Sequence, residues 1–277
     1  MFKDHPKGLI AAALANMGER FGFYIMMAIL SLFISAKFGL PETQAGYIYS
    51  GFYASIYLLA LVGGLIADRT KNYKGTILWG LLVMAAGYLI IAIPTPTPVP
   101  NLPLYLTLTC VGLLVIAFGN GLFKGNLQAL VGQMYDNREF GAKRESGFQI
   151  FYMFINIGGF FAPFIAIGVR NWWLKVNGFD YNAKLPELCH EYLAKGADMA
   201  GEGFANLQAY ANAAYLDGTQ VSDLQAFCSS YLDVFNRGFH YAFIAAIVMM
   251  LVSLAIYVSN RKRFPDPSQK ATTGTEK

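Results

Sequence analysis

Six apolar runs recur along the chain, separated by polar connections. They lie at about Gly8 to Ile34, Ala45 to Ala67, Gly75 to Ile93, Leu104 to Val131, Gly147 to Val169 and Gly238 to Val258. About 20 apolar residues suffice to cross the hydrocarbon core of a bilayer. Backbone amides find no water there, so each run is expected to be a helix. The pattern predicts an all-α membrane protein, a bundle of six transmembrane helices.

One connection differs from the rest. From Asn171 to Arg237 the chain is polar and rich in alanine and tyrosine, with no run long enough to span. Within it, Pro186 to Lys195 and Ala205 to Leu216 read as short helices, and a loop of this length is expected to carry structure of its own. The expected organisation is spanning helices 1–5 in residues 1–170, an extracytoplasmic insertion in 171–237, the sixth helix in 238–260 and a cytoplasmic linker or tail in 261–277. The tail beyond Phe264 has the composition of a linker.

Charge placement sets the orientation. Arg69, Lys71 and Lys74 follow the second run, Arg138, Lys143 and Arg144 the fourth, and Arg261, Lys262 and Arg263 the sixth. The connections after the first and third hold Lys37 and no basic residue, respectively. The positive-inside rule puts both termini in the cytoplasm, with Trp172 and Trp173 in an outer aromatic belt. Charged residues make up 14% of the 277 positions, against about 25% in soluble domains. The net charge of +4 is modest and lies beside hydrophobic runs, which argues against a nucleic-acid surface. The first run is too long for a signal peptide and contains Glu19 and Arg20. His5, His190 and His240 lack metal-ligand spacing, and no nucleophile–base pair or phosphate loop is present, so neither an enzyme nor a metal site is expected. Cys110 reads as packing. Cys189 and Cys228 share the polar insertion, and their spacing leaves a disulfide open.

Three charges lie where hydrocarbon should be. Glu19, Arg20 and Lys124 each cost about 2.5–3.5 kcal/mol at a helix centre, or ~8–10 kcal/mol together if unpaired. They must pair or line a wet cavity. Asn16, Glu19, Arg20, Phe23, Tyr24 and Met27 fall on one helical stripe. Tyr53 and Tyr57, Asn120 and Lys124, and Tyr152 and Asn156 are each four apart on three other helices. Polar stripes in lipid are expected to face one another.

Several stretches resemble known sequences. Gly63-Gly64-Leu-Ile-Ala67-Asp68-Arg69 is similar to the signature between the second and third helices of the major facilitator superfamily. Asn16-Met-Gly-Glu19-Arg20-Phe21-Gly-Phe-Tyr24, Gly119-Asn-Gly121-Leu-Phe-Lys124-Gly-Asn126 and Phe148-Gln-Ile-Phe-Tyr152-Met-Phe-Ile-Asn156-Ile-Gly158 resemble the proton-dependent oligopeptide transporter family. The resemblance implies the amino-terminal half of a major facilitator fold, serving proton-coupled symport of di- and tripeptides by alternating access.

The same resemblance implies roles. Arg20, Tyr24, Tyr57, Lys124, Tyr152 and Asn156 would bind peptide, with the two cations on its carboxylate. Glu19, Arg20 and Lys124 would couple protons, and Gly64, Asp68 and Arg69 would gate. No cofactor is implied beyond the proton as coupling ion. The implied partner is a carboxy-terminal six-helix half, in another segment or chain, and the implied location is a bacterial inner membrane. The chain by itself is not expected to transport. Asn16, Phe23 and Met27 depart from the family pattern, which has glutamate, tyrosine and, in several members, arginine there. A half for another small organic anion or nitrate, and a non-transporting scaffold or sensor, are the competing readings.

Overall fold

The structure, a computed structural model, describes residues 4–199 and 201–265. It is built from eight α-helices among those residues: α1 (Leu9–Phe38), α2 (Glu42–Thr70), α3 (Tyr73–Ala92), α4 (Leu102–Gln133), α5 (Arg144–Val176), α6 (Leu185–Lys195), α7 (Glu202–Ala214) and α8 (Leu224–Asn260). All except α6 and α7 are long and apolar enough to cross a membrane. Each of the six overlaps one of the six apolar runs.

The helix ends follow local chemistry. The Asn72 side chain accepts from the Gly75 amide at 2.9 Å to start α3, and the Asn101 side chain accepts from the Leu104 amide at 3.1 Å to start α4. Each supplies an acceptor to an amide that has no intrahelical partner. Gly39 ends α1 in the left-handed region at φ 64°, a conformation open to glycine without a Cβ clash.

Close packing arises where side chains vanish. A methyl on Gly63 of α2 would collide with the Gly121 carbonyl of α4, and the Asn126 side chain of α4 donates to the Gly63 carbonyl at 3.0 Å. Small residues let backbones approach where lipid supplies no hydrophobic drive. The α3 and α4 helices pack together, α4 also lies on α2, and α1 packs on both α5 and α8. Ser253 of α8 donates to the Ala15 carbonyl of α1 at 2.5 Å.

The insertion is smaller than the polar stretch suggested. The sixth apolar run was expected to begin a helix at Gly238, but α8 begins at Leu224, where Asp223 caps it by accepting from the Ala226 amide at 3.0 Å. Its 37 residues reach about 55 Å at 1.5 Å each, well beyond a ~30 Å hydrocarbon core. The α5 helix likewise continues to Val176. What remains between them, 177–223, is a cap holding α6 and α7 and one bridge between Phe179 and Tyr215. Of the tail, Arg261–Arg263 forms a 3-10 turn and Phe264 stacks on Tyr257. Residues 266–277 lie outside the described residues.

The cap is anchored on the bundle. His190 of α6 and Asn236 of α8 both reach the Ala36 carbonyl at the end of α1, at 2.7 and 3.2 Å. Burial holds the His190 imidazole below its ordinary pKa, with the bond to Ala36 acting the other way. Cys189 and Cys228 are buried free thiols.

Candidate functional site

The α1 stripe is buried at its polar positions. Glu19 is 0% and Arg20 4% exposed. The Arg20 guanidinium turns back on its neighbour, donating from Nε to Glu19 Oε2 at 2.5 Å and from Nη2 to Oε1 at 2.7 Å. The Asn120 side chain of α4 donates to the same Oε1 at 2.9 Å. The carboxylate thus has three donors, two of them charged. A bidentate charge-assisted pair offsets much of the cost of placing these groups in lipid.

Above this cluster opens a cavity of 380 Å³, lined by Arg20, Phe23, Tyr24 and Met27 of α1, Tyr49, Tyr53, Ile56 and Tyr57 of α2, and Lys124 of α4. Arg20 is its buried edge, with the guanidinium carbon 4.7 Å from the centre of the Phe23 ring. The Lys124 ammonium lies 5.6 Å from the centre of the Tyr57 ring. Tyr57 and Tyr53 share a hydrogen bond at 3.0 Å, and Tyr49 stacks parallel to Tyr53. An aromatic wall faces two cations, a lining suited to an anion carrying variable apolar groups.

Arg20, Tyr24, Tyr57 and Lys124 therefore come together as the sequence suggests. Tyr152 and Asn156 do not line this cavity. They line a separate open groove along α5 with Gln149, Met153, Ile157, Phe160 and Phe161. Tyr24 stands between the two hollows, since a methyl on Gly159 of α5 would lie 3.1 Å from its ring.

The structure also places Gly64, Asp68 and Arg69, to which the resemblance gives a gating role. Gly63 makes the tight contact with α4, whereas a methyl on Gly64 would meet nothing within 4 Å. Asp68 accepts a hydrogen bond from the Tyr73 hydroxyl across the α2–α3 turn, and Arg69 is exposed there. Tyr49 and Ile56 were not singled out by sequence. Their spacing of four and three from Tyr53 is the signal that would have found them. No group of three or more metal-ligating side chains occurs among the described residues.

A model of the POT family matches residues 74–276. The chain belongs to the POT family. The match starts at the second residue of α3, so α1, with Glu19 and Arg20, lies outside it. The chain is 36% identical to peptide transporter YePEPT of Yersinia enterocolitica over 185 residues, which are 65% of this chain and 34% of that one. It is 33% identical to a di-/tripeptide transporter of Lactococcus lactis subsp. lactis, over 59% of this chain and 32% of the other. The matched region spans about a third of these curated relatives. The fold is similar to a crystal structure of a mutant of peptide transporter POT in complex with sulfate, with TM-score 0.62 and 24% identity, covering 99% of this chain and 44% of that one. The six spanning helices and this family membership identify an integral membrane protein.

Proposed function

We propose that this POT family chain forms the amino-terminal half of a proton-coupled symporter for di- and tripeptides. The observation that carries the reading is the cavity over the Glu19–Arg20–Asn120 cluster, with Lys124 across from it. A peptide's terminal carboxylate needs fixed positive donors in a water-poor pocket, and Arg20 and Lys124 supply them. The tyrosines of α2 accept varied side chains through their faces rather than through a fixed hydrogen-bond pattern. The similar proteins of Yersinia and Lactococcus are named as peptide and di-/tripeptide transporters, which supports the substrate class.

Proton coupling follows from the same cluster. Glu19 in its charged form holds Arg20 inward through two hydrogen bonds. Protonation of Glu19 removes the charge that holds the guanidinium and frees it for the substrate carboxylate. Binding and protonation then favour the same state, which is the requirement for symport by alternating access.

The partner is a carboxy-terminal six-helix half, seated on the face where α2 and α5 expose their aromatic and leucine side chains. Tyr47, Leu58 and Leu61 on α2 and Phe160 and Phe164 on α5 are more than 60% exposed, and the α5 groove bearing Tyr152 and Asn156 opens there. Closure of a second half over that face would bring the groove and the cavity into one substrate chamber. Asp68 and Arg69, at the α2–α3 turn, would latch its cytoplasmic side. The proposed location is a bacterial inner membrane with both termini in the cytoplasm. Proton-driven uptake of labelled di-alanine by the two-half transporter tests the reading. Uptake abolished by a protonophore is expected, and uptake that survives one removes the coupling.

A further inference from the structure

The seam between the cap and α8 holds a juxtaposition that transport does not explain. Cys189 comes from the middle of α6 and Cys228 from the first turns of α8, and each is 0% exposed. The two thiols are within hydrogen-bonding reach of one another. They lie in a dry, aromatic setting, where Phe227 stacks on Tyr231 and Tyr231 packs on Phe235. Cys189 is also next in sequence to His190, the residue that ties α6 to the Ala36 carbonyl of α1. The pair therefore sits at the joint where the cap meets two spanning helices.

We propose that Cys189 and Cys228 are joined by a disulfide in the mature protein, made by exchange with a disulfide-bearing oxidoreductase of the extracytoplasmic compartment. The proposal rests on the orientation given above. One cysteine thiolate attacks the donor's disulfide, forming a mixed disulfide and releasing one donor thiolate. The second cysteine thiolate attacks the sulfur of the first, expelling the other donor thiolate. The two cysteines lose two electrons and two protons in total, and the donor becomes a dithiol. The exchange precedes closure of the cap, because both sulfurs are sealed in the folded protein. The bond to Cys228 and burial also push the Cys189 thiol above its ordinary pKa, which disfavours the attacking thiolate once packing is complete. The bond pins α6 to α8, so that the cap moves with this half as one body.

Labelling of denatured protein with a polyethylene-glycol maleimide, after thiols are trapped in intact cells by acid quench, reads the bond directly. The expected result is that reduction adds two labels to the parent. Cys189→Ser and Cys228→Ser are each expected to carry one additional label without reduction and to gain none with it. Those differences are independent of Cys110, which is labelled throughout. A parent that gains no label on reduction overturns the proposal. Refolding that purified parent with oxidised glutathione then separates the causes. Closure of the pair shows that the thiols meet and that the compartment assigned to the cap is wrong. Failure to close shows that the thiols do not meet.

Discussion

Glu19 is the residue on which the site turns, because its buried carboxylate accepts from donors on two helices. Replacing it by alanine leaves Arg20 buried without its counter-charge, which costs about 3–5 kcal/mol for a broken buried pair. The expected outcome is a sharp loss of folded protein in membranes, read by fluorescence size-exclusion profiles, with Glu19→Gln milder. Asn120→Ala removes one neutral donor to that carboxylate and is expected to cost about 1–3 kcal/mol in a thermal-melt assay. Lys124 makes no ion pair with a carboxylate among the described residues and lies over the Tyr57 ring. Lys124→Ala is therefore expected to spare folding and to weaken dipeptide binding roughly 10- to 150-fold, the value of a charge-assisted hydrogen bond of about 1.5–3 kcal/mol. A melting curve unchanged with lost uptake supports that division. The α1 stripe was legible because helical spacing alone puts its polar residues on one face. The resemblance implied Glu19 as partner of Arg20, Lys124 or both, and the structure gives it Arg20.

At the scale of the helix, the Gly63-Gly64 pair divides into unequal members. Gly63→Ala is expected to disrupt α2–α4 packing and abolish expression, while Gly64→Ala is expected to be tolerated, since a methyl there has open space. Equal effects of the two changes would contradict this account of the contact. The sequence motif marked both glycines, but which one faces α4 depends on the rotation of α2, which the pattern leaves free. The early start of α8 escaped the hydropathy reading because Ser229, Ser230, Asp233 and Arg237 dilute the apolar signal. A helical signal was present in Phe227, Tyr231, Phe235, Phe239 and Phe243, an aromatic ladder with steps of four. The cap helix α6 carries a pH expectation. Burial lowers the His190 pKa in the folded state, so the unfolded cap binds the proton more tightly. Cap stability is then full above the ordinary histidine value of about 6.5 and falls as pH drops through it toward the lowered folded value. Amide protection in α6, corrected for the intrinsic slowing of exchange in acid, is expected to fall as pH drops below the ordinary histidine value, and His190→Gln is expected to remove that dependence.

For the molecule as a whole, six spanning helices and their order were readable from run length alone, and the family from motifs spread over α1, α2, α4 and α5. The separation of Tyr152 and Asn156 from the main cavity was not readable, because it depends on how α1 packs against α5, with Tyr24 against Gly159, rather than on any local pattern. A second half closing over that face is what would unite them with Tyr24, Tyr57 and Lys124. The central claim is that Arg20 and Lys124 receive the terminal carboxylate of a peptide. Its most direct measurement compares uptake of labelled di-alanine with that of its carboxyl-terminal amide by the complete transporter in proteoliposomes, for the parent and for Lys124→Ala. The account predicts that the parent takes up the acid and rejects the amide, and that the variant loses most of that preference. Equal uptake of acid and amide by the parent, or full discrimination retained without Lys124, would contradict it.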